Sequence, residues 1–313
     1  MIGTMLFGFH ALRRPLDSGG NHNRMRRVCA AFALLLGFGL GLRPVFAADV
    51  DRQFRLAVAN GDTDVVNRLI KEEDIDVNTV NKFGKGPLMI AVENGDQGIV
   101  SLLLEKGANV NARTAAGETP FVFAVENEQF EIATLLLDHG ADIHARTRSG
   151  WDALMIAAEN GTGEMVQKLL QKGADSKAKD KEGRNALMHA AVRGNLDALN
   201  FLLDAGVELE ARDEQKATGL LLAVEEGHRK IVKALLQAGA DIEAKDRFGA
   251  TPLLISIARR HDPITRLLLT KGANPNVYDK GGNTALSEAS DVGDEDTVDL
   301  LLRYGADPNY KKK

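Results

Sequence analysis

His139, Asp142 and His144 are the closest approach to a metal-ligand cluster in this 313-residue chain. Two imidazoles and a carboxylate at short spacing could hold a divalent metal. His189 is a further candidate for catalysis, and 44 acidic residues leave a glycosidase-like carboxylate pair open by composition alone. The other routes to chemistry are closed. The chain has no GxxxxGK[ST] phosphate loop, no HExxH and no GxSxG. Gly37-Phe38-Gly39 lies in an apolar leader, where paired glycines carry no nucleotide meaning. Cys29 is the only cysteine, so no intramolecular disulfide can form.

The elements that must position these side chains recur every 33 residues. A glycine follows each second apolar segment at Gly107, Gly140, Gly173, Gly206, Gly239, Gly272 and Gly305. A turn glycine keeps the same step from Gly84 to Gly282, except at Lys216. The slot after it holds Gly86, Thr119, Asp152, Asn185, Thr218, Thr251 and Thr284, all residues that serve as helix N-caps. Leu-Leu pairs follow at 103/104, 136/137, 169/170, 202/203, 235/236, 268/269 and 301/302. In Asp246 to Tyr278, a turn leads into a helix beginning at Thr251-Pro252 and ending near Arg259. A second helix is expected from Asp262-Pro263, stopping at Gly272, whose left-handed conformation suits a helix end.

The turn, T-P-L, Leu-Leu and G-A-D/N slots at a 33-residue period resemble the ankyrin repeat family, here carried by Thr251-Pro252-Leu253, Leu268-Leu269 and Gly272-Ala273-Asn274. The resemblance covers residues 50–310. It implies an all-α solenoid of helix-turn-helix units joined by hairpin-like turns: a degenerate N-terminal capping repeat at 49–80 and seven repeats at 81–310, with a basic tail at 311–313. Within the capping repeat one residue is inserted in Lys71–Asp76. The family's usual His after T-P-L is replaced by Met89, Val122, Met155, Met188, Leu221, Leu254 and Ser287, which implies joints between repeats that lean more on apolar packing. Against the repeat, His139, Asp142 and His144 occupy the slots of Lys106, Asn109 and Asn111, so exposed loop residues are the plain reading. His189 stands where Ile90, Ile156 and Ile255 stand, the place of a packed side chain. His228 and His261 fall just before second helices.

The N-terminus is of another kind. Met25-Arg26-Arg27, an apolar run from Val28 to Leu42, the Arg43-Pro44 break and Val45-Phe46-Ala47 give the order of a secretory signal peptide at 25–47, with cleavage expected after Ala47. Fifteen apolar residues fall short of the ~20 that span a bilayer. An uncleaved N-terminal anchor is the alternative. Residues 1–24 read as a non-native or disordered extension, with translation starting at Met25. Loss of residues 1–47 would remove six Arg and one Asp, taking the net charge from −5 to −10. That balance disfavours nucleic acid and anionic membrane surfaces as partners. An exported chain, periplasmic or secreted, is expected to be a monomer without stable membrane insertion once the leader is cleaved.

The resemblance places partner binding on turn tips and first-helix ends. The first-helix ends read Glu93-Asn94, Glu126-Asn127 and Glu159-Asn160, a repeated Glu-Asn ladder, then Arg193, Glu225-Glu226 and Arg259. Phe83, Trp151 and Phe248 add large side chains at the tips; Trp151 stands in an otherwise largely polar slot and is expected to be an exposed anchor. A basic stripe, Arg113, Arg146, Lys179, Arg212 and Lys245, precedes the turns and reads as charge balance along the loops. The expectation is a non-catalytic protein-binding scaffold, with no cofactor and no metal. The alternatives are a metal-dependent or enzymatic accessory protein using His139 and His144, and a secreted effector acting on a host protein.

Overall fold

The computed structural model describes residues 43–72 and 75–310. The expected extension at 1–24, the apolar run to Leu42 and the basic tail at 311–313 therefore lie outside the described residues, as do positions 73–74 of the expected insertion. The chain divides into two units between Gln53 and Phe54.

Sixteen helices are present among the described residues, and the only β feature is an isolated bridge between Tyr278 and Thr284. Helix α1 (Arg43–Ala59) starts at the Arg43-Pro44 break, where proline is tolerated in a first turn, and runs unbroken across Ala47-Ala48. Helix α2 (Thr63–Glu72) follows, and the other fourteen come in pairs: α3 (Pro87–Glu93) with α4 (Gln97–Glu105), α5 (Pro120–Glu126) with α6 (Phe130–Asp138), α7 (Ala153–Asn160) with α8 (Gly163–Gln171), α9 (Ala186–Arg193) with α10 (Leu196–Asp204), α11 (Gly219–Glu225) with α12 (Arg229–Gln237), α13 (Pro252–Ala258) with α14 (Asp262–Thr270), and α15 (Ala285–Asp291) with α16 (Glu295–Arg303). First helices pack on neighbouring first helices and second on second.

The first helices are short because both ends are fixed by sequence. The hydroxyl or carboxylate of Thr119, Asp152, Thr218 and Thr251, and the amide oxygen of Asn185, accept the backbone N–H three residues on, as an N-cap should. Gly86 occupies the same slot without a side-chain cap. The second helix of the Asp246–Tyr278 unit begins differently from expectation. His261, not Asp262, holds the N-cap position and makes no capping bond, while Asp262 is the first helical residue.

These helices are too short to be stable alone, so tertiary packing must hold them. A large apolar core does so, with a smaller second cluster around Met188, Leu221 and Leu222. Leu103, Leu136, Leu202, Leu235, Leu268 and Leu301, all from Leu-Leu pairs, are fully buried, alongside Ala91, Ala124, Ala157, Ala190, Ala223 and Ala289. The small residue lets adjacent first helices approach; the leucine fills the space between the layers.

The joints between repeats are hydrogen-bonded as well as apolar. Each turn tip donates a backbone N–H to the turn before it: Ala115 to Phe83 (3.0 Å), Arg148 to Ala116 (2.8 Å), Lys181 to Ser149 (3.1 Å), Glu214 to Glu182 (2.9 Å), Arg247 to Gln215 (2.8 Å) and Lys280 to Phe248 (2.8 Å). The basic stripe adds to this. Arg113, Arg146 and Arg212 each donate from Nη1 to a carbonyl of their own turn and to one 33 residues on. These arginines are staples between turns, which corrects the charge-balance reading for them. The turn glycines have φ near +80°, and at Gly84, Gly117, Gly150 and Gly183 a Cβ would meet the next turn's backbone at 3.0–3.3 Å. Lys216 holds that conformation with φ +61°.

Candidate partner-binding face

The first residue of each turn organises its tip. Asn81, Asp180, Asp213 and Asp246 each accept two backbone N–H groups of their own turn on one oxygen. In Asp180 and Asp213 the second oxygen is left to reach sideways. Asp180 Oδ2 lies 3.0 Å from His189 Nε2, and Asp213 Oδ2 lies 3.4 Å from Arg184 Nε. His189 is buried, its Nδ1 is 3.4 Å from Glu159, and its ring packs on Trp151 at 4.2 Å. Trp151, His189, Asp180, Glu159 and Arg193 therefore form one connected cluster across two repeats, Arg193 Nε lying 3.4 Å from Glu159. Sequence reasoning had Trp151, His189, Glu159 and Arg193 separately. Asp180 in a slot that holds threonine in the two preceding turns was the available sign that this turn does something more.

Trp151 is corrected accordingly. It is half-buried and packed against the core, not an exposed anchor, because the imidazole of the following repeat covers one side of it. The polar residues in its slot elsewhere suggested exposure; the neighbour that buries it is itself an exception to the isoleucine rule. Phe83 and Phe248 are 61% and 57% exposed, each with a neighbouring cation over the ring, Lys82 at 4.9 Å and Arg247 at 4.5 Å.

The Glu-Asn ladder splits into two functions. The amide of Asn94 donates to the Ala59 carbonyl at 2.9 Å and that of Asn160 to the Glu126 carbonyl at 2.9 Å, so each caps the first helix of the repeat before it. Asn127 instead donates to Phe123 in its own helix, at 2.8 Å. His228 and His261 hold the same kind of contact through Nε2, to the Val192 and Glu225 carbonyls. These side chains join repeats. The carboxylates are what face outward. Glu93 pairs with Lys85 at 2.9 Å, and Glu225 pairs with Arg259. Glu226 is exposed. Glu126 has no salt bridge among the described residues; partial burial, then repulsion by Glu118 and Glu93, holds its carboxyl above the usual range, with Lys85 pulling the other way.

Three open clefts run along this face. One of about 770 Å³ is lined by Glu118, Val122, Glu126, Arg148, Trp151, Ile156 and Glu159. A second, about 530 Å³, lies by Glu159, Arg193, Glu226 and His228. A third, about 430 Å³, lies by Arg184, Asp213, Glu225, Phe248 and Arg259. Such clefts suit extended side chains of a partner better than an enclosed small molecule.

The histidine-acid cluster expected as the metal alternative does not converge. His139 Nδ1 contacts the Leu135 carbonyl of its own helix, and Asp142 Oδ1 accepts the His144 N–H. Among the described residues no three His, Cys, Asp or Glu side chains are placed to share a metal ion. No helix among them is long and apolar enough to cross a membrane.

A family model for ankyrin repeats in three copies matches residues 54–147, 143–213 and 220–312. The chain belongs to the ankyrin repeat family. Ankyrin repeats are in general protein–protein interaction modules and typically non-enzymatic. A comparison with curated proteins gives no significant match.

Proposed function

We propose that this ankyrin-repeat chain is an exported, non-catalytic scaffold that holds a partner protein on the face made by its turn tips and first-helix ends. The observation that carries the reading is the row of three open clefts on that face, several of whose walls, among them Trp151, Glu159, Arg193, Arg184 and Glu225, are already held by neighbouring side chains. A surface ordered before the partner arrives loses little conformational entropy on docking. The partner-contacting residues are Phe83, Phe248, Glu93, Glu126, Glu159, Glu225, Glu226, Arg193 and Arg259, with Trp151 forming a cleft wall. Asn94, Asn127 and Asn160 set the positions of the carboxylates beside them.

Export rests on the leader at 25–47, and the compartment is periplasmic or extracellular. Fractionation followed by N-terminal peptide mapping tests this: a mature N-terminus at Ala48 supports it, and a cytoplasmic chain beginning at Met25 rejects it. Binding is tested by cross-linked pull-down with the wild-type chain and with Phe248→Ala. The scaffold reading expects a discrete partner that the variant captures poorly.

A further inference from the structure

We infer that the largest cleft on this face takes an arginine side chain from an extended segment of the partner protein. The inference rests on the scaffold reading above and names the chemistry of what that scaffold holds.

The three clefts differ in how their charges are matched. In the second, Arg193 pairs with Glu159; in the third, Arg259 pairs with Glu225 and Arg184 with Asp213. The largest cleft is different. Among the described residues Glu118 accepts only the Thr114 hydroxyl, at 2.9 Å, and Glu126 has neither a side-chain hydrogen bond nor a salt bridge. Lys85, the cation whose charge lowers the Glu126 pKa, is tied to Glu93 and lies over the Phe123 ring at 4.8 Å. Two carboxylates without an ion pair among the described residues, Glu118 and Glu126, thus face one guanidinium, that of Arg148 on an exposed turn tip, while Glu159 already pairs with Arg193. Partial burial, then repulsion by Glu118 and Glu93, raises the Glu126 pKa, so a cation entering here meets an under-compensated carboxylate.

The walls select among cations. Val122, Ile156 and the indole of Trp151 are apolar and would cover a side-chain stem. His189 fixes the indole from one side, leaving Trp151 a rigid wall of the cleft. A planar guanidinium can stack on an indole and still present a fork of N–H donors to two carboxylates; an ammonium can do only part of this. Charge complementarity therefore favours arginine over lysine, and an open cleft favours an extended segment over a buried ligand.

The test is selection of random 12-residue displayed peptides on the full chain, repeated on Glu118→Gln/Glu126→Gln. The expected result is one arginine fixed in the winning sequences from wild type and not from the variant. The winning synthetic peptide should bind the variant about tenfold or more weakly, equivalent to about 1.4 kcal/mol. Its arginine→citrulline form should lose as much on wild type. Arginine-free winners, or equal binding to the variant, overturn the inference. Winners without arginine that still require Phe248 would leave the scaffold reading intact. Light scattering covers the remaining occupant: a wild-type dimer that the double variant dissociates makes a second copy the ligand and also overturns the inference.

Discussion

The imidazole of His189 is held between two carboxylates of different repeats, Asp180 Oδ2 at 3.0 Å and Glu159 Oε2 at 3.4 Å. Asp180 also anchors two amides of its own turn, so a single side chain links a turn tip to a helix and, through the imidazole, to the preceding repeat. Replacing His189 by Ala leaves the buried Asp180 oxygen without its partner. A loss of about 2–4 kcal/mol is expected, since unpaired buried charge is costly. Urea unfolding measures it; a loss below about 0.5 kcal/mol would show that the contact contributes nothing to the stack.

Trp151→Ala should destabilise as well as weaken binding. The ring is half-buried against core side chains and His189, so removal should cost about 2 kcal/mol, below the 3–5 of a fully buried aromatic. Leu202→Ala, in the centre of the stack and fully buried, should cost about 2–5 kcal/mol. Chemical denaturation of both variants checks the order.

Lys216 is the one turn position where the glycine rule fails, at φ +61°. Lys216→Gly should stabilise by roughly 1 kcal/mol by removing left-handed strain. The carbonyl that accepts Arg212 Nη1 at 2.9 Å is backbone and is retained. A melting temperature that falls would mean that the lysine side chain carries an interaction outweighing the strain.

Stability should respond to acid in a way set by three carboxyls. Burial raises Glu126 and Asp152 above their ordinary values of 4.5 and 3.8. In each case the folded state binds the proton more tightly than the unfolded chain. Their contribution to stability is therefore present below those ordinary values and is lost as pH rises from them through the raised folded-state values, so the penalty is present at neutral pH. Asp294 is opposite: hydrogen bonds from Thr297 lower it, so its contribution is present above 3.8 and lost on acidification. Glu126→Gln should accordingly raise stability at pH 7 relative to wild type, with the gain shrinking toward pH 4. Denaturation midpoints at the two pH values decide the sign.

The period, the caps and the buried leucines were legible in the sequence because each is a local requirement repeated seven times. A threonine or asparagine before a helix caps it wherever the helix sits, and Leu202 is buried because its copies are. What was not legible depends on the neighbour. Trp151 looked exposed from its own column of residues, and only the ring of His189, one repeat on, buries it. Asn94 and Asn160 looked like surface display, yet their amides reach helix ends in the preceding repeat. The arginine staples could not be separated from charge balance without knowing that a carbonyl 33 residues later lies within reach.

The most direct test of the central claim is partner capture by four folded chains: wild type, Phe83→Ser/Phe248→Ser, Glu118→Gln/Glu126→Gln, and Lys233→Glu on α12, outside all three clefts. Capture should fall with both cleft-face variants and remain at the wild-type level with Lys233→Glu. Equal capture by all four, or loss confined to Lys233→Glu, would contradict the account.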